Sequence, residues 1–205
     1  MLAWLAPIPL YAAVIAGLYL FESGWAAIVG YHVAICAVIA VGGDGRKLQG
    51  VLFRGWNRAF GIGMTAACLI SGLLVYLLWP IIRLEHVELG TALADLGLQG
   101  WSWLLFMAYY SLVNPAMEEI FWRRWYPSKL KIPLFSDVFF AGYHVFVMVL
   151  FVQAAWAGVT FVVLVAAARI WRELTHRYRG LAIPLASHTA ADVSVIAAAA
   201  WLALG

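Results

Sequence analysis

Charge is what this 205-residue chain has least of: Asp, Glu, Lys and Arg make up only 11% of it. Soluble domains carry about 25%, so a core wrapped in a polar surface is excluded, and a hydrophobic fraction of 65% points to a membrane bundle. Cysteine is nearly missing. Cys36 and Cys68 sit singly in apolar runs without a CxxC; they read as small buried hydrophobes, not a disulfide or metal pair. HExxH is absent, which removes the helical zinc-protease signature. Period-two alternation is absent as well, which argues against a β-barrel. With no internal repeat, low-complexity tract or dividing linker, residues 1–205 are expected to form a single integral membrane domain. The run 2–21 lacks a basic n-region and a small-residue cleavage site, so it reads as a retained span and not a signal peptide.

What the chain has is long apolar runs. Crossing a hydrocarbon core of about 30 Å takes roughly 17–25 residues of helix, and the runs 2–21, 25–42, 59–82, 101–118, 137–153, 155–171 and 181–204 meet that test. The expected fold is all-α, a polytopic transmembrane helix bundle of about seven spans. Basic residues then set its orientation. Arg46, Lys47, Arg54 and Arg58 follow the second run, Arg123, Arg124, Lys129 and Lys131 the fourth, and Arg169, Arg172, Arg177 and Arg179 the sixth. All fall on one side of a seven-span arrangement; only Arg83 lies opposite, beside Glu85, Glu88 and Asp95. By the positive-inside rule the N-terminus is cytoplasmic. The same placement accounts for the net charge of +3 without a nucleic-acid partner. The 11 Trp and nine Tyr suit interfacial belts, and residues 85–100 have room for a short interfacial helix.

Against this background three polar clusters stand out at helical spacing: Glu118, Glu119 and Arg123; Phe140 and His144; His188 and Asp192. An ionisable residue at membrane depth must be paired, hydrated or chemically employed. At 1.5 Å per residue, Glu118 lies about 25 Å beyond Trp101, near the cytoplasmic edge. His144 and His188 each lie about 10 Å into their spans from that same side. Ser136 is expected to cap the fifth span, with Asp137 on its N-terminal dipole. Spacing of four puts Glu119 beside Arg123 as an ion pair and His188 beside Asp192. It leaves Glu118, turned by about 100°, to face another partner. His32, His86 and His176 match no partner spacing and read as structural or solvated.

EEIFWR at 118–123, FAGYH at 140–144 and HTAAD at 188–192 resemble, in order, the EExxxR, FxxxH and HxxxN/D motifs of the CAAX-protease and bacteriocin-processing (Abi) family. The matched region sits in the motif-bearing part, about 101–205. The resemblance implies an intramembrane glutamate-type endopeptidase. Glu118 would activate a water with His144 helping to polarise it, and His188 and Asp192 would stabilise the oxyanion. Glu119 and Arg123 would support the site, with Phe140 packing against it. Asp192 departs from the asparagine of the prenyl endopeptidases. An ionised Asp cannot donate to an oxyanion, so Asp192 is either protonated or orients His188. No cofactor is implied. The alternatives are a zinc-dependent hydrolase, for which two histidines and carboxylates are an acceptable ligand set, and a non-catalytic immunity or scaffold protein. The expected partners are a membrane-anchored or hydrophobic peptide or protein substrate and the lipid bilayer. The expected location is the inner membrane of a bacterium.

Overall fold

The computed structural model describes residues 3–43, 50–126 and 134–204; Arg46, Lys47, Lys129 and Lys131 lie outside them. The first helical segment, α1, runs Ala3–Leu20 and closes in a π turn at Ala16–Leu20. There follow α2 (Gly24–Gly42), α3 (Arg58–Ile82), the short α4 (Leu89–Asp95), α5 (Gly100–Leu112), α6 (Asn114–Glu118) with a π turn at Glu119–Trp125, α7 (Leu134–Met148), α8 (Ala154–Tyr178) and α9 (Ala182–Leu204). Among the described residues there is no strand, only an isolated bridge between Arg83 and Val152.

Helix therefore forms the greater part of each of the seven apolar runs. α1, α2, α3, α8 and α9 are long and apolar enough to cross a membrane. The other two runs correct the sequence reading. The fourth is not one helix over 101–118. Pro115 lacks an N–H and disfavours helical backbone at the residue before it, and the helix breaks at Val113 and restarts as α6 with that proline in its first turn. The fifth begins at Leu134, not Asp137, so Ser136 lies inside the first turn instead of capping it. It also stops at Met148. Beyond it the chain joins the end of α3, with Gln153 N donating to Ile82 O at 2.9 Å and Leu84 N to Phe151 O at 3.0 Å. α8 extends past the expected limit of 171, so Arg172 and Arg177 belong to a helix and not to a loop.

Local chemistry sets several helix starts. Ser23 Oγ accepts from Ala26 N at 3.2 Å to cap α2, and Asn57 Oδ1 from Phe60 N at 3.1 Å to cap α3. Glu88 caps α4, the short helix expected within 85–100, through the amides of Gly90 and Thr91. The Thr91 hydroxyl, together with those amides, holds the Glu88 carboxyl below its ordinary pKa.

Successive helices run in opposite senses. At one end Trp125 Nε1 donates to Gly43 O at 3.0 Å, and Leu181 N and Ala182 N donate to Val51 O and Arg54 O. At the opposite end Gly24 N donates to Leu96 O at 2.9 Å. The described Arg54, Arg58, Arg123, Arg124, Arg177 and Arg179 all belong to the first end. Ile62, Leu69, Leu73, Leu77 and Ile81 of α3 point outward, as side chains meeting lipid would. The protein is integral to a membrane.

α3 packs chiefly against α9, and a glycine makes that contact. A Cβ on Gly72 would meet the Ser194 carbonyl oxygen at 2.0 Å. In its absence Gly72 N donates to Ser194 Oγ at 3.1 Å. Helices in lipid associate through such small-residue approaches. Gly72→Val is expected to force the pair apart and cost about 3 kcal/mol, the upper end for overpacking. Unfolding in mixed micelles measures this, and an unchanged midpoint would show that the helices do not approach so closely.

Candidate active site

The break in the fourth span builds the centre of the site. α6 and the π turn carry Asn114, Glu118, Glu119 and Arg123, and π turns inside helices frequently mark functional positions. Here the turn directs two successive carboxylates inward. Glu118 and Glu119 are both fully buried, which is sustainable only with partners.

Glu118 is the better supplied. Its Oε1 accepts from the Tyr31 hydroxyl of α2 at 2.6 Å and from the Tyr143 hydroxyl of α7. Trp122 Nε1 donates to Tyr31 at 2.8 Å and fixes that phenol. Oε2 accepts from Asn114 Nδ2 at 3.2 Å and lies 3.4 Å from His188 Nε2. The sequence left Glu118 to face another partner; the structure surrounds this buried carboxylate with four polar groups from four helical segments.

His188 joins the carboxylates. Its Nδ1 is 2.8 Å from Glu119 Oε1, and its Nε2 faces Glu118 Oε2 at 3.4 Å and Asp192 Oδ1 at 3.6 Å. Carboxylates only accept, so Nδ1 carries a proton directed at Glu119, and Nε2 is left facing the other two carboxyl groups. Trp171 stacks on it at 4.6 Å and 19°, a face suited to a cation. Trp171 is held by donating to Ser187 Oγ at 2.9 Å, and that hydroxyl donates to Ile183 O at 2.8 Å.

The expected pairing of Glu119 with Arg123 is present, with Arg123 Nε 3.5 Å from Oε2, but Glu119 also serves His188. The Arg123 guanidinium lies 4.0 Å over the Phe140 ring and 5.1 Å from that of Trp171. Phe140 is thus the floor beneath a buried cation. His144 Nδ1 is 2.9 Å from Phe140 O, and its Nε2 is 3.0 Å from the Tyr143 hydroxyl. The short bond to Glu118 Oε1 starts from that same hydroxyl. Glu118 and His144 therefore share one phenol, and half-buried His144 is the edge of the site.

All seven residues marked in the sequence converge here. Others were not anticipated, among them Tyr31, His32, Tyr109, Asn114 and Tyr143. His32, for which spacing offered no partner, is buried with Nδ1 2.8 Å from the Tyr109 hydroxyl and Nε2 3.2 Å from Asn114 Oδ1. Asn114 Nδ2 donates at 3.2 Å to Asp192 Oδ2 as well as to Glu118. Among the described residues no group of three or more His, Cys, Asp and Glu is arranged to hold a metal ion.

Residues 100–194 match the family described as type II CAAX prenyl endopeptidase Rce1-like. The matched segment begins with α5 and ends just past Asp192, so it contains all three motifs. Comparison with curated proteins and with solved structures finds no match.

Proposed function

We propose, from a chain whose residues 100–194 belong to the Rce1-like CAAX endopeptidase family, that the protein is an intramembrane endopeptidase. It hydrolyses a peptide bond in a membrane-anchored or hydrophobic peptide or protein. The observation that carries this is Glu118: a buried carboxylate with Oε1 clamped by two phenols and Oε2 turned toward His188.

Glu118 acts as the general base. It takes a proton from water as the water oxygen bonds to the substrate carbonyl carbon. It then returns that proton to the amide nitrogen as the carbon–nitrogen bond breaks. His144 polarises the water from the partly exposed edge, and Tyr143 links it to the base. The developing oxyanion is met by His188 Nε2–H, a charged donor fixed before reaction by Glu119 behind and Trp171 beneath. Arg123, seated on the Phe140 ring, holds Glu119 in place.

This chemistry needs no metal. Cleavage of membrane-anchored peptides by the purified protein in liposomes is expected to survive a strong chelator with less than a two-fold change in rate. Loss of activity that zinc restores would favour the metallohydrolase instead. If no peptide in a broad hydrophobic panel is cleaved, the non-catalytic scaffold reading gains.

In this reading the end near the site, where the basic residues lie, faces the cytoplasm together with the N-terminus, as the positive-inside rule expects. A substrate then reaches the site from the inner leaflet or the cytoplasm of a bacterial plasma membrane. Nucleic acid has no part in this reading.

A further inference from the structure

Asp192 poses a problem for the oxyanion. The prenyl endopeptidases carry an amide there, and an ionised aspartate has no proton to donate. We infer that Asn114, on α6, supplies the missing amide donor and is a catalytic residue of the site. This rests on the hydrolytic reading of Glu118.

The orientation of Asn114 follows from its neighbours alone. The atom facing Glu118 Oε2 and Asp192 Oδ2, each at 3.2 Å, must be the nitrogen, because carboxylates only accept. Its Oδ1 then faces His32 Nε2 at 3.2 Å, so that nitrogen carries the imidazole proton. His32 Nδ1 keeps its lone pair and accepts from the Tyr109 hydroxyl at 2.8 Å. The chain Tyr109, His32, Asn114 thus has one consistent direction of donation and ends on the gap between Glu118 and Asp192. His32 is a positioning residue that holds the amide, and Asn114 is itself buried, so its aim is set before substrate arrives.

Two N–H donors converge on that gap: Asn114 Nδ2, and His188 Nε2 at 3.4 and 3.6 Å from the same two carboxylates. While Glu118 is ionised, both donors serve it. When Glu118 takes the proton from water, its charge disappears and a negative charge forms on the substrate oxygen. The donors then serve the oxyanion. The same pair follows the charge from base to substrate, which is electrostatic preorganisation with little rearrangement. Asp192 keeps the other side of the Asn114 amide and of the His188 ring in register.

The test compares five proteins in liposomes on one cleaved membrane-anchored peptide: wild type, Glu118→Gln, Asn114→Ala, Asn114→Asp and the double variant Asn114→Asp with Asp192→Asn, each checked in detergent for cooperative thermal unfolding well above the assay temperature. Asn114→Ala is expected to lower kcat by roughly 10²–10³-fold, as for loss of one oxyanion donor, with KM changed by less than about three-fold. A merely structural residue would move KM and the unfolding midpoint instead. Asn114→Asp, which replaces the donor by an acceptor, is expected to be at least as slow. The double variant Asn114→Asp with Asp192→Asn restores an amide across the same gap and is expected to recover at least ten-fold over Asn114→Asp. Should Asn114→Ala keep kcat within three-fold of wild type while Glu118→Gln is inactive, the assignment of Asn114 is overturned and the peptidase reading stands. A Glu118→Gln protein as active as wild type removes Glu118 as the base and overturns the hydrolytic reading of Glu118 on which this assignment rests.

Discussion

Glu118→Gln is expected to lower single-turnover cleavage by on the order of 10⁴-fold, the upper range for removing a general base. The change keeps the side-chain volume and an oxygen for the Tyr31 and Tyr143 hydroxyls, so α2 and α7 retain their common anchor. The new amide nitrogen, however, faces Asn114 Nδ2 and His188 Nε2, donors that then lack an acceptor on that side. This costs about 1–3 kcal/mol, and a modestly lower unfolding midpoint accompanies the loss of rate. Rate and stability separate cleanly: a chain that loses only stability and still cleaves within ten-fold of wild type would remove Glu118 from the chemistry.

Arg172→Ala is expected to produce the largest loss of stability, about 3–5 kcal/mol, because it strands a buried charge. Arg172 reaches from α8 to Asp137 in the first turn of α7, with Nε 3.1 Å from Oδ1 and Nη2 2.8 Å from Oδ2. Asp137 is only 2% exposed, so water does not replace the guanidinium. Arg172→Lys does not repair the damage, since an ammonium cannot form the two-pronged contact. Replacing both partners by Asn and Met is expected to cost less than the single change, as removing both charges strands neither. Denaturant titration in mixed micelles reads all three variants. A loss below about 1 kcal/mol for Arg172→Ala would place the pair with ordinary exposed ion pairs. Because α7 carries His144, cleavage should slow in parallel.

The seven helical runs were legible because hydropathy over some 20 residues is a strong signal. Glu119 with Arg123, and His188 with Asp192, were legible because each pair repeats at four residues along one helix. The interruption at Asn114–Pro115 was written in the chain, since a proline restricts the residue before it, but it was outweighed by the uninterrupted apolar character around it. Tyr31, Tyr143 and Tyr109 were hidden for a different reason. A tyrosine in an apolar helix looks like packing or an interfacial ring, and only the fold shows its hydroxyl on a carboxylate or an imidazole. His32 and Asn114 lie 82 residues apart, and no periodicity connects two helices across that distance. Asp137 was read as a dipole partner, whereas Arg172, from another helix, claims it.

Tyr31 and His32 are neighbours on α2, and α2 lies wholly outside residues 100–194 that carry the family likeness. One donates to the glutamate and the other holds the asparagine. The working unit of this protein is therefore larger than its recognisable one. A chimera that grafts only the recognisable segment onto foreign leading helices would inherit every signature residue and still lack the support for Glu118 and for Asn114. For transplantation, α2 belongs to the site as much as the three motifs do.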